Sequence, residues 1–135
     1  TASGMVYVAG NNSNVIYEVD VAKWEITRRF ENTTAGPYNL DVTADGRLLV
    51  ATYKKSAAIG IWDLTSGKEV ANIKTTRTIP HGVVISPDSN YAFVTLEGVG
   101  GEPGTVEVYD LATLSRAATV DVGKQAGGLA FWKIQ

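Results

Sequence analysis

The 135-residue chain is 44% hydrophobic, enough for one packed domain, and its 12 basic and 14 acidic residues give a net charge of −2, so no global field draws it to nucleic acid or to an anionic bilayer. It has no cysteine, which excludes a disulfide framework, a cysteine nucleophile, thiolate-ligated zinc and iron–sulfur clusters while leaving the compartment open.

In chain order the pattern is strand after strand, and no stretch keeps a helical period. Met5 to Ala9, Val15 to Val19 and Glu25 to Phe30 read as strands, with Gly10 to Asn14 and Asn32 to Pro37 as loops. Leu40 to Val42 and Leu48 to Thr52 flank the turn Thr43-Ala44-Asp45-Gly46, where Asp-Gly supplies the positive-φ position of a tight hairpin. Ile59 to Asp63 and Lys68 to Ile73 form the next hairpin. Val83 to Ile85 and Tyr91 to Thr95 follow around Ser86-Pro87-Asp88, and Thr105 to Asp110 and Arg116 to Val122 close the series. No apolar run approaches the roughly 18 residues of a membrane-spanning helix. Thr1-Ala2-Ser3-Gly4 carries no basic segment followed by an apolar one, so no signal peptide is expected there.

The series is a repeat. AGPYNLDVTADGRLLVAT (35–52) returns as TIPHGVVISPDSNYAFVT (78–95), with Pro37 and Pro80, and Asp45 and Asp88, 43 residues apart. A partial copy, KQAGGLAFWKIQ, occupies 124–135. Asp20, Asp63 and Asp110 hold one repeat position at spacings of 43 and 47, so about four extra residues enter the third unit, in the loop Glu97 to Gly104. Four strands in a period in the low forties is the sign of a β-propeller blade. The expected fold is all-β: one unit over 1–135 with blades near 5–43, 40–86 and 83–132 that share boundary strands.

The wording narrows this further. Tyr7-Val8-Ala9-Gly10-Asn11, the strands Val15 to Asp20 and Val106 to Leu111, and Pro80-His81-Gly82 with Ser86-Pro87-Asp88 resemble the strands and hairpin of the YVTN-type β-propeller family. The chain departs from that pattern at Ser89, Thr43-Ala44 and Ala126. The resemblance implies that Leu40 to Thr43, Val83 to Ser86 and Leu129 to Trp132 are inner strands. The chain then opens with a blade lacking its inner strand and ends on an inner strand lacking its blade, the ring-closing arrangement in which the C-terminal strand completes the first of three four-stranded blades. Completion is expected from a second copy, giving six blades, or from the rest of a larger propeller. An open apolar edge such as Gly127 to Trp132 makes a lone stable monomer unexpected.

His81, the single histidine, falls by this resemblance at the mouth of the central channel, with Tyr38 and Gly127 as repeat equivalents. It reads either as a proton-transfer group or ligand, given imidazole's neutral pKa, or as part of a family turn whose ring bonds a neighbouring carbonyl, which is the favoured reading. Lys124 and Arg77 join it as channel-mouth candidates, and Lys54, Lys55, Glu97 and Glu102 as rim candidates. Asp45 and Asp88 lack calcium-loop spacing and read as turn residues. There is no G-x-S-x-G elbow, and Gly98 to Gly104 lacks the lysine and helix of a phosphate loop. No catalytic residue, metal ligand or cofactor is expected.

Trp62 and Trp132 read as core between blades, and Trp24 at a turn tip as exposed. Asn11-Asn12-Ser13 and Asn32-Thr33-Thr34 match the glycosylation triplet without a context to give it weight. The functional expectation is a non-catalytic recognition module that binds a protein or extended ligand on its loop face. The rivals are a periplasmic enzyme or redox subunit using the surroundings of His81, a surface-layer or adhesion module, and a DNA-binding propeller using the mildly basic rim. Nucleic acid is the less favoured partner, and the resemblance implies a periplasmic or extracellular setting.

Overall fold

The computed structural model describes residues 4–31 and 33–133. Within them the strands β1 (Met5–Gly10), β2 (Val15–Asp20) and β3 (Glu25–Phe30) form one antiparallel sheet. β4 (Pro37–Val42), β5 (Leu48–Tyr53), β6 (Ala58–Asp63) and β7 (Lys68–Lys74) form the second. β8 (Ile79–Ile85), β9 (Tyr91–Glu97), β10 (Gly104–Asp110) and β11 (Ser115–Val122) form the third. Each sheet is a meander in chain order, and there is no helix among the described residues. Asn32 of the second glycosylation triplet, Thr1 to Ser3 and residues 134–135 lie outside the described residues.

The repeat is carried by turn chemistry. Asp20 accepts the amides of Ala22 and Lys23, Asp63 that of Ser66, and Asp110 those of Ala112 and Thr113, so each ends its strand by closing the same turn. Three residues of one repeat position, Trp24, Gly67 and Leu114, take positive φ (56°, 70° and 53°) in these turns. In the inner hairpins Gly46 and Ser89 share another, at 72° and 62°. Thr43 does at its hairpin what Ser86 does at the next: its hydroxyl donates to Asp45 and accepts the Leu48 amide, as the Ser86 hydroxyl donates to Asp88 and accepts the Tyr91 amide. A bulge recurs at Glu18/Val19, Ile61/Trp62 and Val108/Tyr109, again one repeat position.

The blades pack face to face. Ile16 and Phe30 of the first meet Leu49, Ala51, Tyr53, Ala58 and Trp62 of the second. Val50, Ile59 and Ile61 of the second meet Val83, Ile85, Ala92, Val94, Leu96 and Tyr109 of the third. Trp62 is core, as its strand position suggests, and its indole donates to Tyr53 Oη at 2.8 Å.

Two expectations need correction. The first blade has three strands rather than four, and residues 126–133 form no strand beside it. They lie instead on the far side of the third blade, where the Gly127 carbonyl accepts from Thr95 Oγ1 and Phe131 stacks 5.9 Å from Phe93. Among the described residues no blade stands behind this segment, and Trp132 is 87% exposed and not core.

A charged cluster fastens blade one to blade two. Glu18, with its side chain 6% exposed, binds Arg28, Tyr7 Oη and Thr27 Oγ1, and Arg28 Nη1 reaches Leu64 O of the second blade at 2.6 Å. Hydrogen bonds from Arg28, then Tyr7 and Thr27, overcome desolvation and hold the Glu18 carboxyl at about 2 rather than 4.5. Desolvation and the Glu18 hydrogen bond push the Tyr7 phenol up to about 12. A depressed carboxyl stabilises the fold above its unfolded pKa, and that stability is lost as pH falls through the folded value. Urea unfolding should therefore weaken from about pH 4.5 towards pH 2, and Glu18→Gln should flatten that part of the profile; an unchanged slope would reject the assignment.

Candidate functional site

One end of the blades carries the loops β1–β2, β3–β4, β5–β6, β7–β8 and β9–β10, and the inner strands β4 and β8 start there. Both inner strands begin irregularly. Their ladders to β5 and β9 shift register between Pro37 and Leu40 and between Pro80 and Val83, because proline has no amide to give the ladder. The freed amides of Asn39 and Gly82 donate instead to Thr52 Oγ1 at 3.0 Å and Thr95 Oγ1 at 2.9 Å. Each threonine hydroxyl then donates onward, Thr52 to His81 O and Thr95 to Gly127 O. These bonds link each blade to the next inner segment, and they make Tyr38, His81 and Gly127 structural equivalents.

The bowed segments set Tyr38 and His81 side by side, with ring centroids 5.0 Å apart and Tyr38 Oη 3.4 Å from His81 Nε2. Lys54 and Glu97, themselves one repeat apart, complete the group. Lys54 Nζ lies 4.5 Å over the Tyr38 ring and 3.3 Å from Glu97 Oε1, and His81 Nε2 lies 3.4 Å from the same oxygen. His81 does not bond a neighbouring carbonyl through its ring: Nδ1 is buried and has no hydrogen-bond partner among the described residues. Gly127 lies against that side of the ring, where a Cβ would stand in ordinary contact with His81 Nδ1 at 3.9 Å.

The other candidates are dispersed. Lys55 Nζ donates to Asn11 O and Asn12 Oδ1 of the first blade. Arg77 is turned from the mouth towards β10 and β11, bonding Thr105 Oγ1, Glu102 and Asp121. Glu102 is thus a partner of Arg77, and Lys124 is exposed beyond β11. Lys54 and Arg77 are paired with acidic side chains within the chain, whereas Lys55 bonds only neutral oxygens. No group of three or more His, Asp or Glu side chains suited to a metal ion occurs among the described residues. Trp24 is 80% exposed at its turn.

Thr52 and Thr95 were missed by the sequence reading, although their spacing of 43 and their burial inside β-rich runs mark them as a repeated device. What the site offers chemically is an aromatic surface, one cation, one carboxylate and an imidazole within a few ångströms. Such a set has both donors and acceptors to offer a polar ligand.

Among solved structures, the chain superposes on hydrazine synthase of Kuenenia stuttgartiensis with a TM-score of 0.83 at 20% identity, covering 91% of this chain and 34% of that one. It also superposes on U3-55K (TM-score 0.78, 16% identity, 91% and 37%) and on the RRP9 WD40 repeats (0.77, 16%, 91% and 37%). The fold is that of a β-propeller. At these identities the likeness concerns the fold alone, and the chain spans about a third of the length of these structures. No family model and no curated protein matches the chain.

Proposed function

We propose that this propeller is a non-catalytic recognition module of the YVTN type, working outside the cytoplasm, that binds a protein or extended ligand over the cluster Tyr38, Lys54, His81 and Glu97. The observation that carries this is the convergence of two repeat-equivalent pairs from adjacent blades on one partly exposed patch, with an ion pair, an aromatic face and the imidazole Nε2. WD40-like structural neighbours support an interaction scaffold. The ring is completed by a second copy or by further blades of a longer protein.

A panel of displayed peptides selected on the native protein tests the patch. Binders should weaken at least tenfold on Lys54→Ala and on His81→Ala, with folding unchanged. Binding that survives both variants would place recognition elsewhere. The second reading, a cofactor or substrate site at His81, rests on the position of its Nε2 beside Tyr38 Oη and Glu97 Oε1. A visible absorption band that disappears in His81→Ala would favour it over recognition.

A further inference from the structure

We infer that the patch of Tyr38, Lys54, His81 and Glu97 takes an acidic segment of a partner protein, and takes it more tightly when His81 is protonated. This rests on the recognition reading above and names both the chemistry of the partner and the control of its binding.

The control lies in one shared oxygen. Glu97 Oε1 stands 3.3 Å from Lys54 Nζ and 3.4 Å from His81 Nε2, so two nitrogens compete for a single acceptor. While the imidazole is neutral, one ammonium faces one carboxylate and the charges balance. A proton on the ring adds a second cation, and imidazole is the side chain that changes charge between about pH 5 and pH 8. Its Nε2–H then binds Glu97 as a charge-assisted donor, the carboxylate is shared between two cations, and Lys54 has donors to spare for a ligand. The titratable and charged groups that face the ring come from three elements. β4 contributes Tyr38, whose Oη is 3.4 Å from Nε2, the β5–β6 turn contributes Lys54, and the end of β9 contributes Glu97. The segment after β11 brings Gly127 against the ring, which carries no charge.

The geometry also says what the spare cation can take. Lys54 Nζ is held 4.5 Å over the Tyr38 ring, so the ammonium is fixed in place rather than free to follow Glu97. The side chains of Lys54 and His81 are 33% and 26% exposed, which lets a ligand reach both. With the ring protonated the patch holds two cations against one carboxylate, beside Lys55, which bonds only neutral oxygens. Glu102 does not cancel the excess, because it is engaged by Arg77. The surplus is positive and calls for a carboxylate. A nucleic acid draws its affinity from many cations along the phosphate backbone, and here Arg77 is already paired with Glu102 and Asp121. A carboxylate side chain of a peptide suits so small a surplus better.

The probe is an acetylated hexa-aspartate peptide, which stays ionised because aspartate titrates near about pH 3.9, with a hexa-serine peptide beside it. Binding is followed by NMR, in which the single histidine of the chain gives imidazole signals free of overlap. The aspartate peptide should bind the native protein about fivefold or more tightly at about pH 5.5 than at pH 8, and should displace the His81 signals. His81→Gln should lose that dependence on pH. Glu97→Gln, which leaves Lys54 without its carboxylate, should bind the peptide at pH 8 about fivefold or more tightly than the native chain does, and it is the independent variant if His81→Gln folds poorly. Imidazole signals of the free protein that do not move between pH 8 and pH 5.5, equal affinity at the two pH values, or no gain from Glu97→Gln would each overturn the inference. Recognition at the patch would still stand if peptides selected on the native protein weaken on Lys54→Ala. Serine peptide binding as tightly as aspartate peptide removes charge as the basis, and oligothymidylate binding more tightly than either overturns the choice of partner. Selected peptides that ignore both Lys54→Ala and His81→Ala overturn the recognition reading, and this inference with it.

Discussion

Arg116→Ala is expected to remove about 3–5 kcal/mol of folding stability, the cost of leaving a buried carboxylate without its cation. Glu107 is 0% exposed between the second and third blades, where its carboxylate accepts from Tyr109 Oη, from Thr76 N at 2.9 Å and from Arg116 Nη1 at 3.2 Å. The same Nη1 donates to Lys74 O at 3.0 Å, so the guanidinium neutralises the charge and also ties the outer strand of one blade to that of the next. Burial and the Glu107 hydrogen bond together push the Tyr109 phenol well above its ordinary value, so it stays a donor at any working pH. Against a total of about 5–15 kcal/mol for a domain, this loss is most of the margin. Urea unfolding at fixed protein concentration measures it. Glu107→Gln with Arg116→Ala should lose less than the sum of the single changes, because the charge that needed the cation has gone. Arg47→Ala, which removes an exposed pair 4.0 Å from Asp45, should cost less than about 1 kcal/mol. A loss for Arg116→Ala as small as that would show that the buried carboxylate does not need its partner.

What was legible in the sequence was whatever depends on chain neighbours or on the repeat. Asp20, Asp63 and Asp110 announce three turns because an aspartate bonds amides two and three residues on, an interaction confined to its own turn. The site was half legible for the same reason. Tyr38 with His81, and Lys54 with Glu97, are each 43 residues apart, and repeat-equivalent residues of adjacent blades are neighbours in a propeller. Arg77 was assigned to the mouth from its place in a loop, but its long side chain reaches Thr105 and Asp121 across the blade, and nothing in the local sequence carries that reach. Trp132 misled because it lies in an apolar run. Whether such a run is core depends on a blade standing behind it, and among the described residues none does. The buried charges Glu18 and Glu107 were not legible at all. Their partners Arg28 and Arg116 also hold carbonyls of a neighbouring blade, so the reason for burying them exists only once two sheets have met.

Gly60→Ala should also cost about 3–5 kcal/mol, against the usual trend. In a strand interior alanine for glycine ordinarily stabilises, by restricting the unfolded chain. Gly60, in the middle of β6, has ordinary backbone angles, so no torsional strain arises from the change. Its space is the issue. A Cβ there would stand less than 3.0 Å from Tyr53 Oη and Cζ and from Glu69 Oε1. Tyr53 is wholly buried between the first two blades, its hydroxyl donating to Glu69 Oε1 at 2.8 Å and accepting from Trp62 Nε1 at 2.8 Å. Making room moves the ring into a packed interface, at about 1–3 kcal/mol for overpacking. It also parts the hydroxyl from its two partners, and a buried polar group left unpaired costs a further 1–3 kcal/mol or so. Gly123→Ala, where a Cβ would meet nothing within 4 Å, is the matched control and should be close to neutral. If Gly60→Ala proves as harmless as Gly123→Ala in urea unfolding, the Tyr53 ring is not held as described.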